Sequence, residues 1–325
     1  MKLFRILFTM AVAASAVSVL PAVAQSYPDK PVRIITPFPP GSGPDAALRL
    51  MGDKLAKSWG QQVVVENRPG GNGFIALQAA KAAAPNGYTL AQADSYHLAV
   101  HPHLYKNLPY DPVKDFEPVS PIFRNYFFVT VPSNSPWKSM ADLIAAAKVK
   151  PDSLSYGSWF IGSPGHLGAA ALEGATGTRM SHIPYKEMSQ LYVAVSVNDI
   201  NWAFGSAASA GALYRGGKVK FLAVAAPRRI PGYMDIPTVA ESGGPENFEV
   251  SAWVGLIAPR GTPQDIIAKL NKDIAAALAD KDIVQHFATF AYEPFPLAPA
   301  EMGKLIEAES RSYGAIVKRS KISLD

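Results

Sequence analysis

The chain has 325 residues, 48% of them hydrophobic and 18% charged, with a formal charge of +5. That balance is globular rather than disordered or fibrous, and the absence of cysteine excludes disulfides, a lipoprotein anchor, Cys-ligated zinc and thiol catalysis. The cations are spread along the chain without a dense Lys/Arg run or interleaved aromatics, so no nucleic acid is expected as a partner.

Lys2 and Arg5 precede an apolar stretch over 6–20, and Ala22, Val23 and Ala24 supply small residues before Gln25. This is the pattern of an export signal over 1–24, cut after Ala24, and it places the mature protein in the periplasm. Ser15, Ser18 and Pro21 interrupt the apolar stretch, which is short for a membrane span. Removing 24 of 325 residues leaves 301, room for two lobes, and takes Lys2 and Arg5 away, so the formal charge falls to +3.

A strand is expected over 32–36, followed by a helix over 45–59 with Leu48, Met51, Leu55 and Trp59 on one face and Gly60 as its stop. Strands over 62–66 and 88–93 flank a helix over 73–83, giving a βαβαβ opening whose strands run parallel. After Pro132, Ser139 and Asp142 have the spacing of a capping box for a helix ending at Lys148. Strands over 154–157, 181–184, 200–204 and 219–225 alternate with helices over 164–176, 187–197 and 207–215, which makes a second α/β lobe. Two helices close the chain, over 264–279, with Ile266, Ile267, Leu270, Ile274 and Leu278 on one face, and over 299–318. The apolar extended segments 122–131 and 249–258 are expected to carry the chain out of the first lobe and back. The expected division is 25–127 plus 252–325 for lobe 1 and 128–251 for lobe 2.

Two turns carry the candidate chemistry. The first runs from Phe38 through Pro40, Gly41, Ser42 and Gly43 to Asp45, where a strand ends and a helix begins, with Asp45 as the expected N-cap. Glycines there let backbone amides approach a ligand, and the helix dipole favours an anion. The second runs from Ser158 through Trp159, Phe160, Gly162 and Ser163 to His166, again between a strand and a helix. Facing each other across a cleft, the two turns would hold a small organic acid from both ends, with Ser42, Ser158 and Ser163 as hydroxyl donors. Either turn alone reads equally as a simple reversal of the chain. Ser95 and His97, after the third strand, are a third contribution, and Tyr185 and Phe204 complete the expected lining. Trp159 and Phe160 either wall the cleft or pack as lobe core.

No metal and no cofactor are expected. Pro102 separates His101 and His103 in a helical context that does not suit ligation, and both read as surface, as does His286. His182 beside Tyr185 reads as structural, and Arg68 either touches ligand or pins its loop through a carboxylate. There is no Gly-x-Ser-x-Gly elbow, P-loop or complete dinucleotide fingerprint. A hydrolase would have to use Ser163 with His166, the only local nucleophile and base.

The segments YPDKPVRIITPFPPGSGPDAALR, VVVENRPGGNG, PNGYTL, HLYKNLPYDPVKDFEPV, LSYGS, HIPYK, IPTVAESG, WVGLIAPRGTP and KISLD, in this order, resemble the Bug family. These are TctC-like extracytoplasmic solute receptors of tripartite tricarboxylate transporters. The resemblance implies an α/β, two-lobed type II periplasmic-binding-protein fold with two hinge crossings, which closes on a small carboxylate. It also implies a monomer without enzymatic activity that delivers its solute to the transporter's membrane permease. A sensory adaptor serving a membrane sensor kinase would use the same closure. The chain departs from relatives at Phe160, where many have Gly, and at Gly205, where an acidic residue is common after the Phe corresponding to Phe204. Losing that acid disfavours an amino-acid ligand, and the flat rings point to an aromatic mono- or dicarboxylate such as terephthalate.

Overall fold

A computed structural model describes residues 27–324; the expected signal segment and its cut after Ala24 lie outside the described residues. The first third of the chain runs β1 (Val32–Thr36), α1 (Gly43–Trp59), β2 (Val63–Asn67), α2 (Phe74–Lys81), β3 (Thr89–Asp94), a π-helical turn (Tyr96–Val100) continuing into α3 (His101–Leu104), and β4 (Phe116–Tyr126). The middle runs β5 (Phe128–Pro132), α4 (Met140–Val149), β6 (Ser155–Ser158), α5 (Pro164–Thr176), β7 (Ser181–Pro184), α6 (Met188–Ser196), β8 (Trp202–Gly205), α7 (Ala207–Arg215) and β9 (Val219–Val224). The chain closes with β10 (Ser251–Pro259), α8 (Gln264–Leu278), α9 (Lys281–Thr289), β11 (Glu293–Pro294) and α10 (Pro299–Ser320).

These elements form two sheets, ordered β11-β4-β10-β3-β1-β2 and β7-β6-β8-β5-β9. The architecture is α/β and two-lobed. In the first sheet β1 lies parallel to β2 and β3, as the βαβαβ pattern requires, and Val32, Ile34 and Ile35 are fully buried between helix layers. β6 is likewise parallel to β7 and β8. The strands that cross between sheets break this rule. β10 is antiparallel to both β3 and β4, and β5 to both β8 and β9, because each enters its sheet from the opposite side.

Each sheet carries its own core. Val32, Leu48, Met51, Ile274 and Phe287 pack on one face of the first sheet, and Ile35, Leu77, Trp253 and Met302 on the other. Phe128, Trp159, Tyr192, Trp202 and Phe204 belong to the core of the second. Each such side chain contributes about 1.5–3 kcal/mol through removal of apolar surface from water.

A single residue, Phe127, separates β4 from β5. Its amide donates to the Val250 carbonyl at 3.1 Å, its carbonyl accepts from Ala225 at 2.8 Å, and the Val250 amide donates to the Ala225 carbonyl at 3.0 Å. Three passing segments are thereby tied together where the chain changes sheets. A smaller cluster joins the lobes elsewhere: Leu167 of α5 packs with Tyr96, Val100, Leu104, Val317 and Ile322. Arg319 of α10 donates to the Ala170 carbonyl at 3.4 Å, and Arg228 pairs with Glu293 at 2.9 Å.

Candidate functional site

The first turn is built around Asp45. Helix α1 starts at Gly43, so its N-cap is Ser42 rather than the expected Asp45, and Asp45 occupies the third helical position. Pro44 at the second position forces this start, since it has no amide to cap and its ring fixes a helical φ. Asp45 is 2% exposed. Its carboxylate accepts from the Gly41 amide at 2.8 Å, from Asn67 Nδ2 at 2.7 Å and from Arg49 Nε at 3.1 Å. Burial alone would raise its pKa, but those donors hold the carboxyl below the usual carboxylate range. Asn67 also donates to the Phe38 carbonyl at 2.9 Å, which fixes the mouth of the turn. The Ser42 hydroxyl donates to the Pro39 carbonyl at 2.8 Å. Thus the Gly41 amide and the Ser42 hydroxyl, both expected to meet a ligand, are satisfied within the chain. Gly43 is required by a close approach: a Cβ there would come within 2.3 Å of Tyr292 Oη.

The second turn is organised by histidines. The Gly162 amide donates to His166 Nδ1 at 2.9 Å, so the neutral ring carries its proton on Nε2. His166 stacks on His182 with centroids 3.7 Å apart and 12° between planes. Ser158 Oγ lies 2.7 Å from His182 Nε2 and donates to the Phe160 carbonyl at 2.9 Å. Burial pushes His166 down to about 3, with His182 beside it adding to the effect, and burial pushes His182 down to about 4. Both rings are therefore neutral near pH 7. Ser163 caps α5 by accepting from the His166 amide at 3.3 Å, which leaves its hydroxyl proton to give. The contact is to the main chain, and His166 Nδ1, the acceptor nitrogen of the ring, is taken by the Gly162 amide rather than by the Ser163 hydroxyl.

Trp159 is 6% exposed and stacks on Phe127 at 5.4 Å, and Phe204 is 1% exposed; both are lobe core rather than cleft wall. Phe160 is 38% exposed and reaches across to the first lobe, its ring 4.9 Å from that of Tyr96. Tyr96 Oη donates to the Ile161 carbonyl at 3.5 Å. Tyr185 is half-buried and its amide donates to the Ser158 carbonyl at 2.8 Å, which holds the strand tips together.

Ser95 and His97 follow β3. Ser95 is buried, and His97 Nδ1 lies 2.5 Å from Asp94 Oδ1. Burial opposes the charge of Asp94, yet the His97 ring and amide keep its carboxyl below the usual range. His101, expected at the surface, is fully buried because α3 turns it inward against Phe74, Tyr96 and Tyr105. Its Nδ1 pairs with Tyr110 Oη at 2.7 Å, and that hydroxyl donates to the His97 carbonyl at 2.7 Å. His103 and His286 are exposed, and Arg68 bonds Glu66 at 2.7 Å. Among the described residues no cluster of three or more His, Cys, Asp or Glu could hold a metal.

Sequence reasoning gave Asn67, Tyr96 and His182 no bonding role, and it missed Ser206, which opens α7 at the tip of β8 with a capping box to Ser209, a serine spacing visible in the chain.

A sequence model described as the tripartite tricarboxylate transporter family receptor matches residues 47–322. The chain belongs to this family. Protein BugT of Bordetella pertussis is 31% identical over 94% of this chain and 93% of its own length. Among solved structures, Rpa4515 of R. palustris, with adipate, is 30% identical with a TM-score of 0.80, covering 92% of this chain and all of the other. MatC of Rhodopseudomonas palustris, with bound malate, is 29% identical with a TM-score of 0.74 over 90% and 100%. The periplasmic binding protein BugD is 27% identical with a TM-score of 0.75 over 91% and 99%. The family and these neighbours are solute-binding proteins, so the hydrogen-bonding turns above are those of a receptor scaffold.

Proposed function

We propose that this receptor captures a small dicarboxylate with an apolar spacer between its lobes and passes it to the transporter's membrane permease. The observation that carries this reading is the meeting of Phe160 with Tyr96, which brings the second-lobe turn against the end of β3. The donors that serve a carboxylate at the second lobe are the Ser163 hydroxyl and His166 Nε2–H. Charge-free donors of this kind suit an anion that arrives with its own charge, and closure strengthens them by excluding water. Phe160 and Tyr96 supply the apolar wall. Adipate, the ligand of Rpa4515, and terephthalate both place two carboxylates at the ends of an apolar spacer, one flexible and one flat. Malate, bound to MatC, is shorter and carries a hydroxyl.

The same proposal takes the lobes as 25–127 plus 252–325 and 128–251, supported by the sheet memberships of β4, β5 and β10. It takes the protein as a monomeric periplasmic binder without catalytic activity, released by cleavage after Ala24. Thermal melting of the purified protein with adipate, terephthalate, benzoate and malate tests the ligand class. Stabilisation by adipate and terephthalate is expected; a response to malate alone would overturn the apolar-spacer assignment.

A further inference from the structure

Two open grooves of about 590 and 750 Å³ lie outside the cleft, and both are lined by Arg311 of α10. Adjoining at that residue, they make a trough along α10 and α3. Its floor is apolar, with Leu98, Pro102, Leu108 and Ile306, and Val113 stands 58% exposed at one side. Its rim is basic. Arg311 is 74% exposed and only loosely paired, 4.0 Å from Glu307. Lys81 and Lys114 neutralise Asp115 and Asp111, at 2.8 and 3.2 Å. Lys318 and Lys321 line the other groove and are exposed, with no ion pair among the described residues. Cations in a last helical turn ordinarily offset the helix dipole. That accounts for Lys318 in α10 and for Lys81 at the end of α2, but not for Arg311, two turns before Lys318, nor for Lys114 outside any helix.

The trough is also the back of the segment that meets the ligand turn. Residues 96–104 touch Phe160 through Tyr96, and Leu104 packs so tightly on Gly162 that a Cβ there would come within 2.3 Å. From behind, Tyr110, which lines the trough, grips the His97 carbonyl and the His101 ring. A partner seated here contacts the elements whose placement depends on the second lobe.

We infer that this trough docks an extended, acidic segment with an apolar side chain, presented by a membrane-embedded protein. The basic rim selects the acids, the apolar floor takes the apolar group, and the position reports lobe contact. The inference rests on the transport reading above but uses none of its ligand residues.

Photo-crosslinking in the native cell tests it, with p-benzoylphenylalanine placed at Val113 or at Lys318, and at Val149, 85% exposed on the second lobe, as control. Adducts to an integral membrane protein are expected from the two trough positions and not from Val149. Arg311→Glu is expected to weaken them by roughly tenfold, as a like charge facing an acidic segment does. Circular dichroism of Arg311→Glu confirms its fold. No membrane-protein adduct, adducts to lipid or to a second copy, equal adducts from Val149, or indifference to Arg311→Glu would each overturn the proposal. Melting the same variants with adipate and terephthalate separates the two readings, since loss of docking leaves solute binding intact.

Discussion

At His166 the two ring nitrogens differ: Nδ1 accepts from Gly162, and Nε2–H is the donor that the proposed function assigns to the solute. His166→Asn keeps an acceptor in the place of Nδ1 and removes the donor; His166→Gln does the reverse. Isothermal titration with the responding dicarboxylate should show Asn losing roughly tenfold or more in affinity, the loss of one hydrogen bond to a charged group, about 1.5–3 kcal/mol. Gln should retain more affinity but melt lower, because the Gly162 amide loses its partner. The same imidazoles set an acid limit. Burial depresses His101 and His166 to about 3 and His182 to about 4, from an ordinary 6.5. The unfolded chain therefore takes up protons that the folded chain refuses. Their contribution to stability is full above pH 6.5 and declines as pH falls from there towards about 4. Melting temperature should drop over that window, and His182→Gln should shallow the drop.

Among the secondary elements, tight approaches are the exposed weak points. A Cβ on Gly157 of β6 would come within 2.3 Å of Leu191 and 2.4 Å of Ile200, both buried, so Gly157→Ala should cost about 1–3 kcal/mol in denaturant unfolding. Gly43→Ala should be relieved in part by Tyr292→Phe, since the hydroxyl is the nearest obstacle. The ends of α5 and α7 are readable from the chain because Ser163, Ser206 and Gly177 mark them locally. The first half of β4 is not. The expected extended segment starts only at 122, after Pro118 and Pro121, yet these prolines pair with Ile257 and Gly255 beside register shifts in β10, where proline can sit in a strand. α9 escaped the same reading because it is nine residues long and follows α8 almost without a break. In the site, the positions of both turns and their inner bonds are written locally, since Asp45 meets Gly41 and His166 meets Gly162 four residues away. The outer bonds are not: Asp45 meets Asn67 22 residues away and Ser158 meets His182 24 away, so the anchoring of Asp45 and the pairing of the histidines arise only from tertiary packing.

For the molecule as a whole, the proposed function makes solute preference a property of the contact between lobes. Phe160→Gly removes the ring that leans on Tyr96. Terephthalate binding is expected to fall by up to about tenfold and adipate binding by less, because an aromatic pair adds about 0.5–1.5 kcal/mol beyond area. Equal losses for both acids, in the same titration, would remove Phe160 from the choice of ligand. Phe127 has a wider consequence. It is held by main-chain bonds on both sides and its ring lies on the indole of Trp159, at the start of the turn that carries Phe160. On the proposed closure, rotation of one lobe against the other is expected to turn about this residue and to slide one ring over the other. Trp202 and Trp253, fully enclosed in their own sheets, are bystanders to that sliding. The protein should thus carry an unlabelled optical gauge of its own movement: a change in tryptophan emission is expected on solute addition, and its persistence in Trp159→Phe would remove Phe127 as the pivot.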